Sequence, residues 1–141
     1  MPHWSPPDRA AREALLRGAS SVAVIGASAN PHRPAFEVTQ YLLSSTPYLV
    51  HLVNPTTPEI MGRRVAGSLV EIGVPIDIVD VFRRRSAMSA VAEEAIAAGA
   101  HALWFQQGLY DEDVAQRATD AGLTVVMDRC LKVDHASMRL T

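Results

Sequence analysis

Apolar and polar positions along this chain change period several times, and each change marks an element boundary. Val22-Ala23-Val24-Ile25 is an unbroken apolar, mostly β-branched run, the mark of a strand buried on both faces. Comparable runs recur at Tyr48 to Asn54, Ile76 to Phe82, Ala102 to Gln106 and Leu123 to Asp128. Between them the pattern turns helical or loop-like. Pro34 to Ser44 sets Phe36, Val38, Tyr41, Leu42 and Leu43 near helical spacing, and Pro47 ends the element. Pro58 to Gly62 reads as a loop with a turn at Gly62, and Ser68 to Ile72 as one helical turn before Pro75. Ser86 is placed to cap a helix over Ala87 to Ala98, with Gly99 behind it, and Asp111 to cap another over Glu112 to Ala121, closed by Gly122. At the front, Ser5-Pro6-Pro7-Asp8 predicts a helix over about residues 5–18, with Ser5 as its cap and Ala11, Ala14, Leu15 and Ala19 on its covering side. The stretch from Leu131 to Thr141 reads as a polar short helix or loop.

Five strands alternating with helices or short crossovers predict an α/β chain. The expected architecture is a three-layer, doubly wound, Rossmann-like fold on a five-stranded parallel sheet. It forms one domain over residues 1–141, with its core over about 20–130. Ligands of such sheets sit beyond the carboxyl ends of the strands, where the strand order switches. Those ends are Gly26-Ala27-Ser28, Asn54-Pro55, Phe82-Arg83, Gln106-Gln107-Gly108 and Asp128-Arg129-Cys130, all more polar than the strands before them.

Composition narrows the partners. The 141 residues are 48% hydrophobic and 20% charged, which suits one globular domain. A formal net charge of -2 argues against a general nucleic-acid binder, which needs a basic surface. No apolar run approaches the roughly 18 residues of a membrane span. The first residues lack the basic-then-apolar pattern of a secretory signal. Cys130 is the single cysteine, so no internal disulfide forms, and a reducing, cytoplasmic setting is expected.

The candidate chemistry concentrates after the first strand. Gly26, then the small residues Ala27, Ser28 and Ala29, lead into a helix opening at Pro34. Unpaired backbone N–H groups and the helix dipole there favour an anion, and Arg33 adds a full positive charge. A phosphate-bearing ligand is therefore expected. The dinucleotide fingerprint G-x-G-x-x-G is absent, and Asn54-Pro55 stands where a dehydrogenase places an acid for the ribose. An NAD(P)-binding redox protein is accordingly disfavoured, and no triphosphate loop is present. His3, His32, His51, His101 and His135 are dispersed, and Asp77 and Asp80, three apart on a strand, point to opposite faces, so no metal site is expected. Ser28 has no histidine and acid partner evident in the sequence, which leaves no catalytic residue to name.

The strand ends taken together resemble a known family. Val22-Ala-Val-Ile-Gly-Ala-Ser28, Pro31-x-Arg33-Pro34, Val53-Asn54-Pro55, Glu59-Ile60-x-Gly62, Asp77 to Arg83, Trp104-Phe105-Gln106-x-Gly108 and Met127-Asp128-Arg129-Cys130 occur in order. In these the chain resembles, over about residues 10–136, the small stand-alone CoA-binding proteins of bacteria and archaea, similar in fold to the CoA-binding domain of succinyl-CoA synthetase alpha subunits. The resemblance implies that Gly26, Ala27 and Ser28 lie under the CoA pyrophosphate through backbone N–H groups and the Ser28 hydroxyl. It implies further that Arg33, beside Pro34, neutralises phosphate, and that Asn54 and Pro55 border the adenine-ribose end. Val81, Phe82 and Arg83 would wall the nucleotide, and Gln106 and Gly108 would border the pantetheine arm. Ala35 departs from the serine many members carry. The implied role is that of a CoA or acyl-CoA binding module, more a carrier, sensor or regulator than an enzyme. The alternatives are a nucleotide-binding subunit of an acyl-CoA ligase and the NAD(P) protein already weighed. Arg63, Arg64, Arg84, Arg85 and Arg129 are further candidate cations. Cys130, between Arg129 and Lys132, is a candidate redox thiol able to form a mixed disulfide with CoA. The sheet's exposed ends leave room for a homodimer or an unknown protein partner.

Overall fold

A computed structural model describes residues 3–140. The expected strands form β1 (Ser21–Ile25), β2 (Leu49–Val53), β5 (Ile78–Val81), β6 (Ala102–Phe105) and β7 (Thr124–Val126). They make one parallel sheet in the order β2-β1-β5-β6-β7. The order reverses at β1, whose chain passes first to β2 on one side and later to β5 on the other.

Alternation along the strands feeds two apolar layers. Ala23, Ile25, Val79, Val81, Leu103 and Phe105 face α3 (Leu69–Ile72), α4 (Met88–Ala97) and α5 (Glu112–Asp120). Val22, Val24, Ile78 and Trp104 face α1 (Arg9–Gly18), α2 (Pro34–Ser45) and α6 (Leu131–Ser137). Trp104 and Phe105 are both core residues, fully buried on opposite faces. The fold is thus the three-layer, doubly wound α/β arrangement that the pattern predicts.

Four local features differ from the sequence reading. Helix α1 starts at Arg9, where the Asp8 side chain accepts from the Ala11 N–H at 2.8 Å, and not at Ser5. Pro7 keeps Pro6 out of the helical region, so no helix can begin directly after Ser5, and Asp8 is the first side chain beyond the prolines able to cap. Its buried side is Arg12 and Leu16, while Ala11 and Ala14 are exposed. Ser86 does not cap α4. A 3-10 turn over Arg85–Ala87 leads into that helix, and the Ala87 N–H bonds back to the Arg84 carbonyl at 3.0 Å.

The loop expected at 58–62 opens a small hairpin, β3 (Glu59–Ile60) against β4 (Arg63–Arg64). Its turn is Met61 and Gly62, both with positive φ (53° and 71°), the conformation a two-residue hairpin turn requires. Finally, the stretch read as a polar tail contains α6, whose Leu131, Asp134 and His135 are buried. Asp134 accepts from Arg12 Nε at 2.9 Å and from Arg129 Nε and Nη2 at 2.8 Å each. One carboxylate thereby ties α6 to the first helix and to the end of β7.

Candidate functional site

Gly26 is the pivot of the sheet's open edge. A Cβ built there would stand 2.0 Å from the Phe82 carbonyl oxygen, and its φ is +84°. The Phe82 N–H reaches the Ile25 carbonyl at 2.8 Å, so β1 and β5 end in contact and only glycine fits between them. The N–H groups of Gly26 and Ala27 both donate to the Val53 carbonyl, at 3.0 and 3.3 Å. They extend the β1–β2 pairing and are closed to a phosphate, which corrects the expectation drawn for them. Among the described residues, the N–H groups of Ser28, Ala29 and Ala35 carry no partner and are the open donors of this corner.

The loop from Ser28 to Arg33 is held by its own short polar side chains. Ser28 Oγ accepts from Asn30 N–H and Asn30 Oδ1 from His32 N–H, each at 3.0 Å, and the Arg33 N–H donates to the Asn30 carbonyl at 3.0 Å. Helix α2 then starts with Pro34 in its first turn and no side-chain cap. Its N-terminal dipole points at the loop unshielded. Asn54 braces this corner from β2: its Nδ2 donates to the Ala27 carbonyl at 2.8 Å, and its Oδ1 accepts from Thr56 N–H and Oγ1.

A cleft of about 650 Å³ lies over these strand ends. Gly26, Ala27, Ser28, Arg33, Pro34 and Asn54 line one side; Phe82, Arg83, Gln106 and Gly108 line the other. Two expected residues are not brought there. Val81 is fully buried in the layer under α4, and Pro55 is exposed outside the lining. Arg84, a candidate cation, and Gln107, part of the corner at the end of β6, line it as well. Ala35 and Leu109 join the lining without having been assigned to it; the signal for Leu109 was the turn at Gly108 beside it.

The charge of the cleft is one-sided. Among the described residues, Arg33, Arg83 and Arg84 line it and no carboxylate does, and none of the three guanidinium groups has an ion-pair or hydrogen-bond partner. The other candidate cations lie elsewhere. Arg63 and Arg64 sit on the exposed hairpin, and Arg129 is held by Asp134. Gln106 Oε1 is closed to solvent and has no partner.

Cys130 is half-buried at the start of α6, outside the cleft lining. Its two cationic neighbours are engaged, Arg129 with Asp134 and Lys132 with Glu37. Asp77 and Asp80 do not meet. Asp77 accepts from the N–H groups of Ser20 and Ser21 at the far end of the sheet. Asp80 is fully buried in the α2 layer with neither carboxyl oxygen bonded, and burial pushes its pKa well above the usual carboxylate range. No group of three or more potential metal ligands occurs among the described residues.

Comparison with known proteins identifies the family and the fold. A family model described as a CoA binding domain matches residues 20–136. The chain is 40% identical over 130 residues to an uncharacterized protein, YneT, of Bacillus subtilis (strain 168), covering 92% of this chain and 96% of that one. A hypothetical protein from Pyrococcus horikoshii OT3 superposes with a TM-score of 0.86 at 31% identity, over 97% of this chain and 98% of that one. The dinucleotide forming acetyl-coenzyme A synthetase 1 of Ca. Korarchaeum cryptofilum shares the fold at a TM-score of 0.73 and 23% identity, over 78% of this chain and 26% of that one.

Proposed function

The chain belongs to the CoA binding domain family, and from that premise we propose that it binds CoA or acyl-CoA in the cleft at the strand ends, as a non-catalytic carrier, sensor or regulatory module. The observation that carries this reading is the set of three unpartnered arginines around an uncapped helix N-terminus, with no carboxylate in the lining. CoA brings about four negative charges, from its 3′-phosphate and its pyrophosphate. A protein with a net charge of -2 can hold them only where cations are gathered and acids kept away. Arg33, Arg83 and Arg84 supply that field, and the N–H groups of Ser28, Ala29 and Ala35 supply directed donors.

The cleft is chemically divided. Its cations stand at the ends of β1 and β5, whereas the end of β6 contributes only Gln106, Gln107, Gly108 and Leu109. In the proposed pose the phosphates lie over the arginines, and the amide-bearing pantetheine arm runs along the neutral wall. Asn54 supports CoA over a nicotinamide dinucleotide: no acid stands at the end of β2 to hold ribose hydroxyls, and the side chain already braces two loops.

The non-catalytic role rests on the side chains in the lining. Among the described residues of the lining, arginine is the one ionisable type, and no general base or thiolate stands there beside a bound thioester. Calorimetric titration with CoA, acetyl-CoA and NADH tests the assignment. Saturable binding of the CoA compounds, with NADH failing to compete, is the expected result. No heat of binding at millimolar CoA would overturn it.

A further inference from the structure

We propose that Arg85 is a positioning residue that presets the neutral wall of the cleft before ligand arrives. The inference rests on the reading of that cleft as a CoA site. Arg83, Arg84 and Arg85 are consecutive, yet only the first two line the cleft. The Arg85 guanidinium turns to the connection between β6 and α5, where Nη1 donates to the Tyr110 carbonyl at 2.9 Å and Nη2 to the Gly108 carbonyl at 3.1 Å. One planar fork thus pins two carbonyls two residues apart, a geometry that suits guanidinium and not ammonium.

The same turn is gripped from the opposite side. The Asp128 carboxylate accepts from the Gly108 N–H at 2.6 Å, and its own N–H donates to the Leu109 carbonyl at 3.0 Å. Asp128 does this with a φ of 59°, in the left-handed region that non-glycine residues seldom occupy, so the surrounding bonds must outweigh that strain. Gly108 therefore has its N–H fixed by an anion and its C=O by a cation, one from the β7 end and one from the β5 end. The Leu109 N–H closes the turn on the Gln106 carbonyl at 3.0 Å. Outside, the Tyr110 ring packs edge-on against Trp4, with centroids 5.8 Å apart.

Gln106 to Leu109 are the residues that would meet the uncharged arm of the ligand. A loop already ordered spares the ligand the entropic cost of ordering it. Arg85 acts on the arm through this loop and leaves the phosphate end untouched.

The test compares CoA with adenosine 3′,5′-bisphosphate, which keeps the charged end and lacks the arm, on the wild type, Arg85→Ala and Arg85→Lys. Arg85→Ala is expected to weaken CoA binding about tenfold and the bisphosphate less than about twofold, with Arg85→Lys in between. In the unliganded protein, amide hydrogen exchange at Gly108 to Tyr110 is expected to quicken about tenfold in Arg85→Ala. Equal losses for both ligands, or unchanged exchange, would overturn the clamp while leaving CoA binding standing. Failure of the wild type to bind CoA would overturn the parent reading, and the exchange measurement would still decide whether Arg85 orders the loop.

Discussion

Arg12 and Arg129 converge on one buried carboxylate, Asp134, while Arg33, Arg83 and Arg84 face a cleft lined, among the described residues, by no carboxylate. Both groups are arginines, and both draw on helix ends or faces as well as strand ends. What separates them is whether an acid reaches them. At α6 the acid comes from the helix itself, and the cations become a staple between the two ends of the chain. In the cleft the neighbouring side chains are small, amide or apolar, so the cationic field stays directed outward. A net charge of -2 describes neither place, because local charge follows from topology and not from composition.

The most severe way to break the staple is Asp134→Ala. It leaves Arg12, 9% exposed, with no counter-charge beside a half-exposed Arg129. Removing one partner of a buried ionic network is strongly destabilising, here by about 3 kcal/mol. Urea unfolding measures it, and a loss below about 1 kcal/mol would place this network with ordinary surface pairs. The cleft should respond in the opposite sense. The double variant Arg83→Ala, Arg84→Ala should lower CoA affinity about a hundredfold and flatten its dependence on salt. Its unfolding free energy should change by less than about 0.5 kcal/mol, because neither side chain has a partner to lose. A stability loss matching that of Asp134→Ala would erase the distinction between the two groups.

The division between these groups was only half legible in the sequence. Strand ends, Gly26, Arg33, Arg83, Gln106 and Gly108 follow from local rules: period two along a strand, a glycine where backbones touch, polar residues at the carboxyl edge. Arg129 was misread as a ligand candidate because its partner lies in a segment taken for a polar tail. The Arg12–Asp134 pair joins residues 122 apart, which no local pattern encodes. The helix start at Asp8, by contrast, was available from the two prolines, which bar Ser5 from capping. The N–H groups of Gly26 and Ala27 illustrate another limit. Whether a backbone donor is open depends on the neighbouring strand, and only the β1–β2 register shows Val53 taking both.

A second contrast, between acids, sharpens the first. Asp134 has two arginines; Asp80 has no hydrogen-bond partner among the described residues. Burial pushes both carboxyls upward in pKa, but at Asp134 the hydrogen bonds and charges of Arg129 and Arg12 outweigh it, and the net shift is downward. At Asp80 burial acts alone and the shift is upward. The signs differ accordingly. Asp134, depressed in the fold, stabilises the protein above the ordinary carboxylate value, and that contribution is lost as pH falls through its folded pKa. Asp80, raised in the fold, contributes fully below the ordinary value of about 4, and its contribution is lost as pH rises toward its folded pKa. Asp80→Asn should therefore gain on the wild type by about 1.4 kcal/mol per pH unit over that rising window. Unfolding curves from pH 4 upward measure the gain. A constant difference between the two proteins would mean that Asp80 has a hidden counter-charge.

The smallest effect is expected at Cys130, next to Arg129 of the staple. Its neighbours Arg129 and Lys132 look in sequence like the cations that activate a thiol. Both are engaged, with Asp134 and Glu37, and Cys130 is half-buried against the α2 layer outside the cleft. A CoA thiol lying along Gln106 to Leu109 would meet no sulfur. Incubation with CoA disulfide should therefore leave the intact mass unchanged, while iodoacetamide modifies Cys130 once the protein is unfolded. A CoA-mass adduct on the native protein would show that the half-buried thiol is reachable as it stands and would return Cys130 to the ligand's surroundings.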